Sequence, residues 1–493
     1  MRSSSALKLL PGLSSTPVPA LRDSSAPGWF HAVQPLSREH GFEPLRVEGT
    51  IPADLSGTLF RVGPALFSAF GQAYGHWFDG DGAVSAVRLD GGAAWGASRY
   101  VETEHRADEQ REGRMLYQRY GTVTPGNPLQ RLLAPLHNAA NTALLHWQDR
   151  LFALHETSLP TELHPDTLHT LGETDLRGVV RKSFSAHPRR VPSRKATYNF
   201  GTRFGPGFMW LDLYELPDAG RARRLGTLRV PGLSLIHDFV ATDRYLVFLV
   251  PAMKLPLVRM ALGLGTLGEG VGLDASRGTE VIVVPIDHPE RPVRFTADPF
   301  FLWHFANAFE ERGDIVLDIV RYPDMDINLL LGEIVTGDLK HPPKGMLYRL
   351  RIDPARKRLS SEQRWDRPCE SPHMSSAQVC RDGRYLYLVS HSPEDRLLPP
   401  DLLAKVDHHG GTMETVSPGP GQYPSEPLFV PRSGASAEDD GYLLSLVYDS
   451  RSHASHMAVF DARHLSQGPL ARAWFDHHIP FTVHGVWVPR GSH

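Results

Sequence analysis

A polar turn that opens into a run of β-branched or aromatic residues recurs along this chain, and the recurrence restricts the fold more than any single motif. Asp149-Arg150 leads into Leu151-Phe152-Ala153-Leu154, and Asp243-Arg244 into Tyr245-Leu246-Val247-Phe248-Leu249-Val250. Gly313-Asp314, Asp382-Gly383-Arg384 and Asp440-Gly441 introduce similar runs beginning at Ile315, Tyr385 and Tyr442. Each run has strand length, and each turn carries residues that tolerate tight reversal. The 44 Gly and 41 Pro in 493 residues suit frequent turns better than long helices. Near the start, Arg61-Val62-Gly63-Pro64 reads as a turn after Thr58-Leu59-Phe60. His76-Trp77-Phe78-Asp79-Gly80-Asp81-Gly82 reads as a strand end and a hairpin turn into Ala83–Leu89. A large β-sandwich accounts for such strands equally well, but not for regularly spaced chemistry.

The chemistry is regularly spaced. His187, His237, His304 and His484 sit in similar local settings, as do Glu156, Glu370 and Glu426. From Glu156 onward the seven positions are 31, 50, 67, 66, 56 and 58 residues apart. In a propeller the inner strand of each blade runs along the central channel, so one residue per blade can face the axis and linear spacing becomes a cluster. Four neutral imidazoles suit a divalent first-row metal and leave coordination positions open. A carboxylate that accepts the distal N–H of a ligand histidine fixes its tautomer and orientation. Spacing alone leaves two other readings open, a catalytic triad or scattered surface members of the 25 His. Other motifs fail. His155-Glu156 is followed by Leu159 where a zinc-protease helix needs histidine, and Gly263, Gly265, Gly268, Gly270 and Gly272 lack a strand-turn-helix setting. There is no Gly-x-Ser-x-Gly elbow.

A formal net charge of −3 offers no basic field for nucleic acid. Two cysteines, Cys369 and Cys380, exclude a disulfide framework and a Cys-rich zinc site, and a reducing, cytoplasmic setting is expected. Residues 1–28, rich in Ser, Pro and Ala, read as a flexible arm, and 29–493 as one catalytic domain. Residues 488–493 partly resemble a protease-tag remnant. The apolar, Gly-containing stretch 253–268 follows a strand directly; it reads either as a buried connection or as a patch that touches a membrane or the mouth of a substrate tunnel.

The chain resembles the carotenoid cleavage oxygenases over roughly Phe42 to Pro489. The resemblance rests on His76–Gly82, Asn141-Thr142, Leu154-His155-Glu156, Ala186-His187-Pro188, His237-Asp238-Phe239 and His304–Ala308. Glu426–Arg432, Ala437–Gly441 and His484-Gly485-Val486-Trp487 continue it in order. It implies an all-β, seven-bladed β-propeller with loops and short helices forming a cap over an axial Fe(II). The implied ligands are His187, His237, His304 and His484, with Glu156, Glu370 and Glu426 behind them. Thr142 matches a threonine whose methyl crowds an open coordination position. The implied reaction is O2-dependent cleavage of a conjugated C=C bond of a carotenoid or apocarotenoid, giving two carbonyl products, with no organic cofactor. The alternatives on this scaffold are a stilbene-cleaving dioxygenase, a retinoid isomerase and a non-catalytic carotenoid-binding propeller. Stilbene-cleaving members place a lysine where this chain has His155, which disfavours the first, although Tyr100 matches a phenol-binding tyrosine. No palmitoylation-type Cys cluster supports the second, and retention of all four His argues against the third. Ser371-Pro372-His373 departs from the family pattern beside Glu370, and His373 is expected on the surface.

Overall fold

The computed structural model describes residues 27–393 and 399–491; most of the expected arm, residues 1–26, lies outside them. Seven antiparallel sheets form the blades of a β-propeller, as expected. Blade 1 is built on Gly57–Leu66, Asp81–Asp90 and Ala93–Tyr100. Blade 2 begins at Ala143–Trp147, blade 3 at Arg189–Val191, blade 4 at Val240–Ala241, blade 5 at Phe301–Glu311 and blade 6 at Cys369–His373. Blade 7 begins with two short pieces, Gln422–Pro424 and Leu428–Pro431, both paired to Gly441–Asp449.

The ring is closed from both directions. Gly485–Pro489 returns to pair with Gly57–Leu66 and becomes the inner strand of blade 1, while Arg46–Gly49 adds to the outside of blade 7. Val488 and Pro489, within the stretch read as a tag remnant, therefore belong to the sheet opposite Thr58 and Gly57.

Blade strands are buried on both faces, so they read as continuous apolar runs and not as alternating ones. Successive side chains still point to opposite faces. Leu59 packs with Tyr442 and Leu444 of blade 7, and its neighbour Phe60 packs with Leu144 and Leu151 of blade 2. Likewise Val247 joins Leu317 of blade 5, and Phe248 joins Phe200 of blade 3. The core is thus divided into wedges between neighbouring blades. Truncating Phe248, which is fully buried, to alanine costs about 3–5 kcal/mol.

Connections from the second to the third strand of each blade emerge on one face, because alternate turns of a meander lie at the same end. Most are short; those of blades 4 and 5 are long and build the cap. Blade 4 carries a small ribbon, Met253–Lys254 with Gly272–Leu273, around the short helices Leu257–Leu262 and Leu267–Gly270. Blade 5 carries the helix Asp326–Ile334. The stretch 253–268 is therefore not wholly buried: Leu257, Val258, Leu262 and Leu264 are 46–74% exposed.

Two local expectations are corrected. Arg61–Pro64 is not a turn but lies inside the strand Gly57–Leu66; the edge irregularity between Pro64 and Leu66 absorbs the proline. Trp77–Asp79 is a 3-10 turn capped by the His76 side chain, and the strand starts only at Asp81. The Asp79 carboxylate is taken by the backbone N–H groups of Tyr120 and Gly121 and by the Thr122 hydroxyl, which holds it out of a hairpin.

Candidate metal centre

All seven spaced residues meet at the axis on the capped side. His187, His237 and His484 immediately precede or nearly precede inner strands, and His304 lies within one. At His304 the pairing register slips between Leu302 and Phe305, a bulge that re-aims the imidazole toward the channel. A second bulge between Glu370 and His373 places Ser371 at φ 52°, and the Ser371 N–H turns back onto Glu370 Oε2 at 2.5 Å. Glu426 occupies the gap between the two inner-strand pieces of blade 7.

The four histidines offer ligand nitrogens that all lie within 4.8 Å of one another. Nε2 of His187 is 2.8 Å from that of His237, His237 is 3.3 Å from His304, and His304 is 3.0 Å from His484. The opposite ring nitrogens face carboxylates. His237 Nδ1 is 2.7 Å from Glu156, His304 Nδ1 2.5 Å from Glu370, and His484 Nδ1 2.8 Å from Glu426. An ionised carboxylate only accepts, so the single proton of each neutral ring sits on Nδ1 and leaves a lone pair on Nε2. Nitrogen lone pairs crowded at about 3 Å with no proton between them repel; a cation among them removes the repulsion. The donor set thus fits a divalent first-row metal ion.

Burial and the neighbouring imidazoles push His187 well below its usual range, so it is neutral at pH 7. Burial raises the Glu156 carboxyl, but the hydrogen bond from His237 outweighs it and brings the group down to about 2. Glu426 also reaches about 2, because His484 and Arg61 overcome its burial. Glu370 is lowered against burial by His304, with the Ser371 N–H and the Tyr322 hydroxyl assisting.

A further layer ties the ligand-bearing segments together. Arg189 donates to Asp238, to Phe239 O at 2.9 Å and to Phe305 O at 3.0 Å, and the Phe305 N–H donates to Asp238 at 2.8 Å. The neighbours of His237 and His304 are thereby joined. Tyr322 donates to Glu370 Oε1 at 2.7 Å, and Arg61 donates to Glu426 Oε2 at 2.8 Å. Sequence reasoning missed Arg61, Arg189 and Tyr322. The available signal was a single charge inside an otherwise apolar strand, as at Thr58-Leu59-Phe60-Arg61-Val62.

An apolar cavity opens beside His237 and His304, walled by Trp77, Phe78, Trp303, Phe481 and the inward side of Asp326–Ile334. Thr142 lines it too, with its hydroxyl donated to Asn141 Oδ1 at 3.0 Å. Tyr100 does not line it; its hydroxyl is buried against Leu36 O and Ala65 O, so the phenol-binding expectation is overturned by local hydrogen bonding. His373 is also not a surface residue. It is partly buried near Glu426, Arg61 and Arg189, and burial lowers it to about 4.

The sequence pattern of the family described as RPE65, retinal pigment epithelial membrane protein, matches residues 33–489. Apocarotenoid-15,15'-oxygenase from Synechocystis sp. is 35% identical over 96% of this chain and 98% of its own length. The chain belongs to the carotenoid cleavage oxygenase family. It is an oxygenase of that family. Other carotenoid cleavage oxygenase relatives include the carotenoid 9,10(9',10')-cleavage dioxygenase of Crocus sativus, 29% identical over 90% of this chain and 85% of its own. Resveratrol cleavage oxygenase 1 of Chaetomium globosum is 28% identical over 96% and 89%. Among solved structures, cobalt-substituted Synechocystis ACO superposes with a TM-score of 0.86 at 34% identity, covering 94% of this chain and 98% of that one.

Proposed function

We propose that His187, His237, His304 and His484 hold ferrous iron, and that the chain cleaves a conjugated C=C bond of a carotenoid or apocarotenoid with O2 to give two carbonyl products. The observation that carries this reading is the set of Nε2 lone pairs converging beside an apolar cavity, with three of the rings fixed by carboxylates from behind. Ferrous iron bound there supplies the activation of O2.

The protein's own contribution is orientation and exclusion. Glu156, Glu370 and Glu426 hold the ligand rings in one tautomer, and their charges partly offset that of the ion. Thr142 spends its hydroxyl on Asn141 and offers its methyl to the site, narrowing the coordination space. Aromatic and aliphatic walls hold a rod-like polyene in register and keep bulk water away. No nucleophile or general base is required of the cavity walls.

The cavity lining favours a polyene over a stilbene. Among the described residues no lysine or arginine lines it, and the Tyr322 hydroxyl is committed to Glu370. His155 is absent from the walls; its Nδ1 lies 3.2 Å from the Thr157 hydroxyl, and burial lowers its affinity for a proton. Substrate delivery fits the exposed apolar residues of Leu257–Leu262, which pack beside Leu129 and Leu133 of the helix Pro128–Leu133, both more than 60% exposed. In this reading that surface rests on a membrane as a peripheral contact. Among the described residues no helix is long and apolar enough to cross one. Residues 29–493 then act as one catalytic domain.

The test is mass-spectrometric product analysis after incubating iron-loaded protein in air with an apocarotenal and, separately, a hydroxystilbene. Two carbonyl fragments from the apocarotenal alone are expected. Fragments from the hydroxystilbene alone overturn the substrate assignment.

A further inference from the structure

The three carboxylates behind the histidines are not equally anchored. Beyond its histidine, Glu156 has its own backbone N–H and, at 3.9 Å, His155 Nε2, and Glu370 has a neutral phenol and a backbone N–H. Glu426 alone has a buried cation. Arg61 is 2% exposed and gives Nη1 to Glu426 Oε2 at 2.8 Å and to Glu426 O at 3.2 Å. Its Nη2 donates to Val483 O at 2.7 Å, and its Nε lies 3.3 Å from the Thr482 hydroxyl. One guanidinium therefore grips both the residue behind His484 and the backbone that delivers His484.

Its position makes this more than a local ion pair. Arg61 belongs to the second strand of blade 1 and is directly opposite Gly485 of the closing strand. A Cβ on Gly485 would stand 2.5 Å from Arg61 Cδ and 2.5 Å from Phe60 O, so only glycine lets the arginine pass over the seam to blade 7. His484 is also held by its backbone, with Val62 N of blade 1 donating to His484 O at 3.1 Å and His484 N donating to the O of Thr142, at the entry to blade 2, at 3.2 Å.

We propose that Arg61 is a positioning residue that locks Glu426 to His484 across the seam between the last and first blades, so that closing the ring and orienting the fourth imidazole are one event. Arg61 touches neither the cavity nor the ligand nitrogens and acts through Glu426. The inference rests on the metal-site reading above.

The test is a pair of double-mutant cycles on Co2+ affinity, with hydrogen exchange of the metal-free protein alongside. Arg61→Lys keeps the charge but loses the planar fork that reaches carboxylate and carbonyls together. It is expected to weaken Co2+ binding about tenfold. With Glu426→Gln the two losses are expected to be strongly non-additive; with Glu370→Gln they are expected to add. Without metal, Arg61→Lys is expected to speed exchange in 422–431 and 482–489 while the strands of blades 3–5 stay protected. Gly485→Ala, which crowds the same guanidinium, is expected to reproduce both effects. Additivity with Glu426→Gln, or a uniform rise in exchange, overturns the proposal. If wild type takes up no Co2+, the metal-site reading fails, and unchanged seam exchange in both variants still overturns the role of Arg61.

Discussion

Replacing each of the three carboxylates in turn by its isosteric amide tests the site by counting donors. Glu156 meets one strong side-chain donor, His237 Nδ1 at 2.7 Å, with its own backbone N–H assisting; His155 Nε2 lies 3.9 Å from its other oxygen. In Glu156→Gln the amide oxygen still accepts from His237 and the amide N–H2 faces the His155 side, so charge is lost but no side-chain donor is stranded. Glu426 meets three donors: His484 Nδ1 at 2.8 Å, Arg61 Nη1 at 2.8 Å and the Gly485 N–H at 3.1 Å. In Glu426→Gln the amide N–H2 must confront either Arg61 and Gly485 or His484. Each stranded buried donor costs about 1–3 kcal/mol. At about 1.4 kcal/mol per tenfold, two of them at about 1.4 kcal/mol each correspond to about 100-fold in metal binding, and the other orientation strands one donor but turns the amide N–H2 on the ligand ring itself. The expected order of weakening is Glu426→Gln, at about 100-fold, then Glu370→Gln, then Glu156→Gln, at about 10-fold. Glu370→Gln is intermediate because the Tyr322 hydroxyl can reverse and accept. Chelator competition with Fe2+ or Co2+ on folded variants reads the series directly. Equal losses within a factor of three, or Glu156→Gln as the most damaging, refute the donor count.

Other outcomes follow from the same geometry. His304→Ala is expected to abolish metal retention and activity together, since His304 Nε2 contacts those of both His237 and His484; full iron content after gel filtration removes it from the ligand set. Burial lowers His76, His105, His373 and His478 to about 4 from 6.5. The unfolded chain therefore binds protons that the native one refuses, and stability is lost progressively as pH falls from about 6.5 toward 4. A denaturant midpoint of the metal-free protein that is unchanged or higher at pH 5 than at pH 7 contradicts this. Val258→Asp with Leu264→Asp, at positions 74% and 65% exposed, is expected to weaken sedimentation with lipid vesicles by about 10–100-fold, the loss of roughly 1.5–3 kcal/mol of apolar burial. Unchanged sedimentation assigns the patch elsewhere.

The strands were legible because Asp-Gly and Asp-Arg turns punctuate β-branched runs; regular spacing suggested that the seven candidate residues converge, but only the family resemblance gave them roles. Errors arose where backbone context overrides a local cue. Gly63-Pro64 signals a turn, yet a strand edge with a bulge accommodates the proline. Asp79-Gly80 signals a hairpin, yet Asp79 is claimed by the 120–122 backbone and the Thr122 hydroxyl. His373 looks like a surface histidine because no periodicity shows that the inner strand of blade 6 continues through a bulge to position 373. The pairing of each glutamate with its histidine was not legible at all. Each pair spans 58 to 81 residues and is set by how neighbouring blades are rotated about the axis.

The double closure of the ring has a consequence for biosynthesis. His484 emerges from the ribosome about three hundred residues after His187, and with it comes the strand that fills the inner edge of blade 1. A polypeptide interrupted just before that point carries three of the four imidazoles, an open strand edge at Gly57–Leu66 and an arginine that keeps Glu426 but has no Gly485 opposite it. Metal uptake by the four imidazoles is therefore expected only once that strand is in place, and a premature stop even a few residues short of position 484 is expected to leave blade 1 without its inner strand and the site one imidazole short.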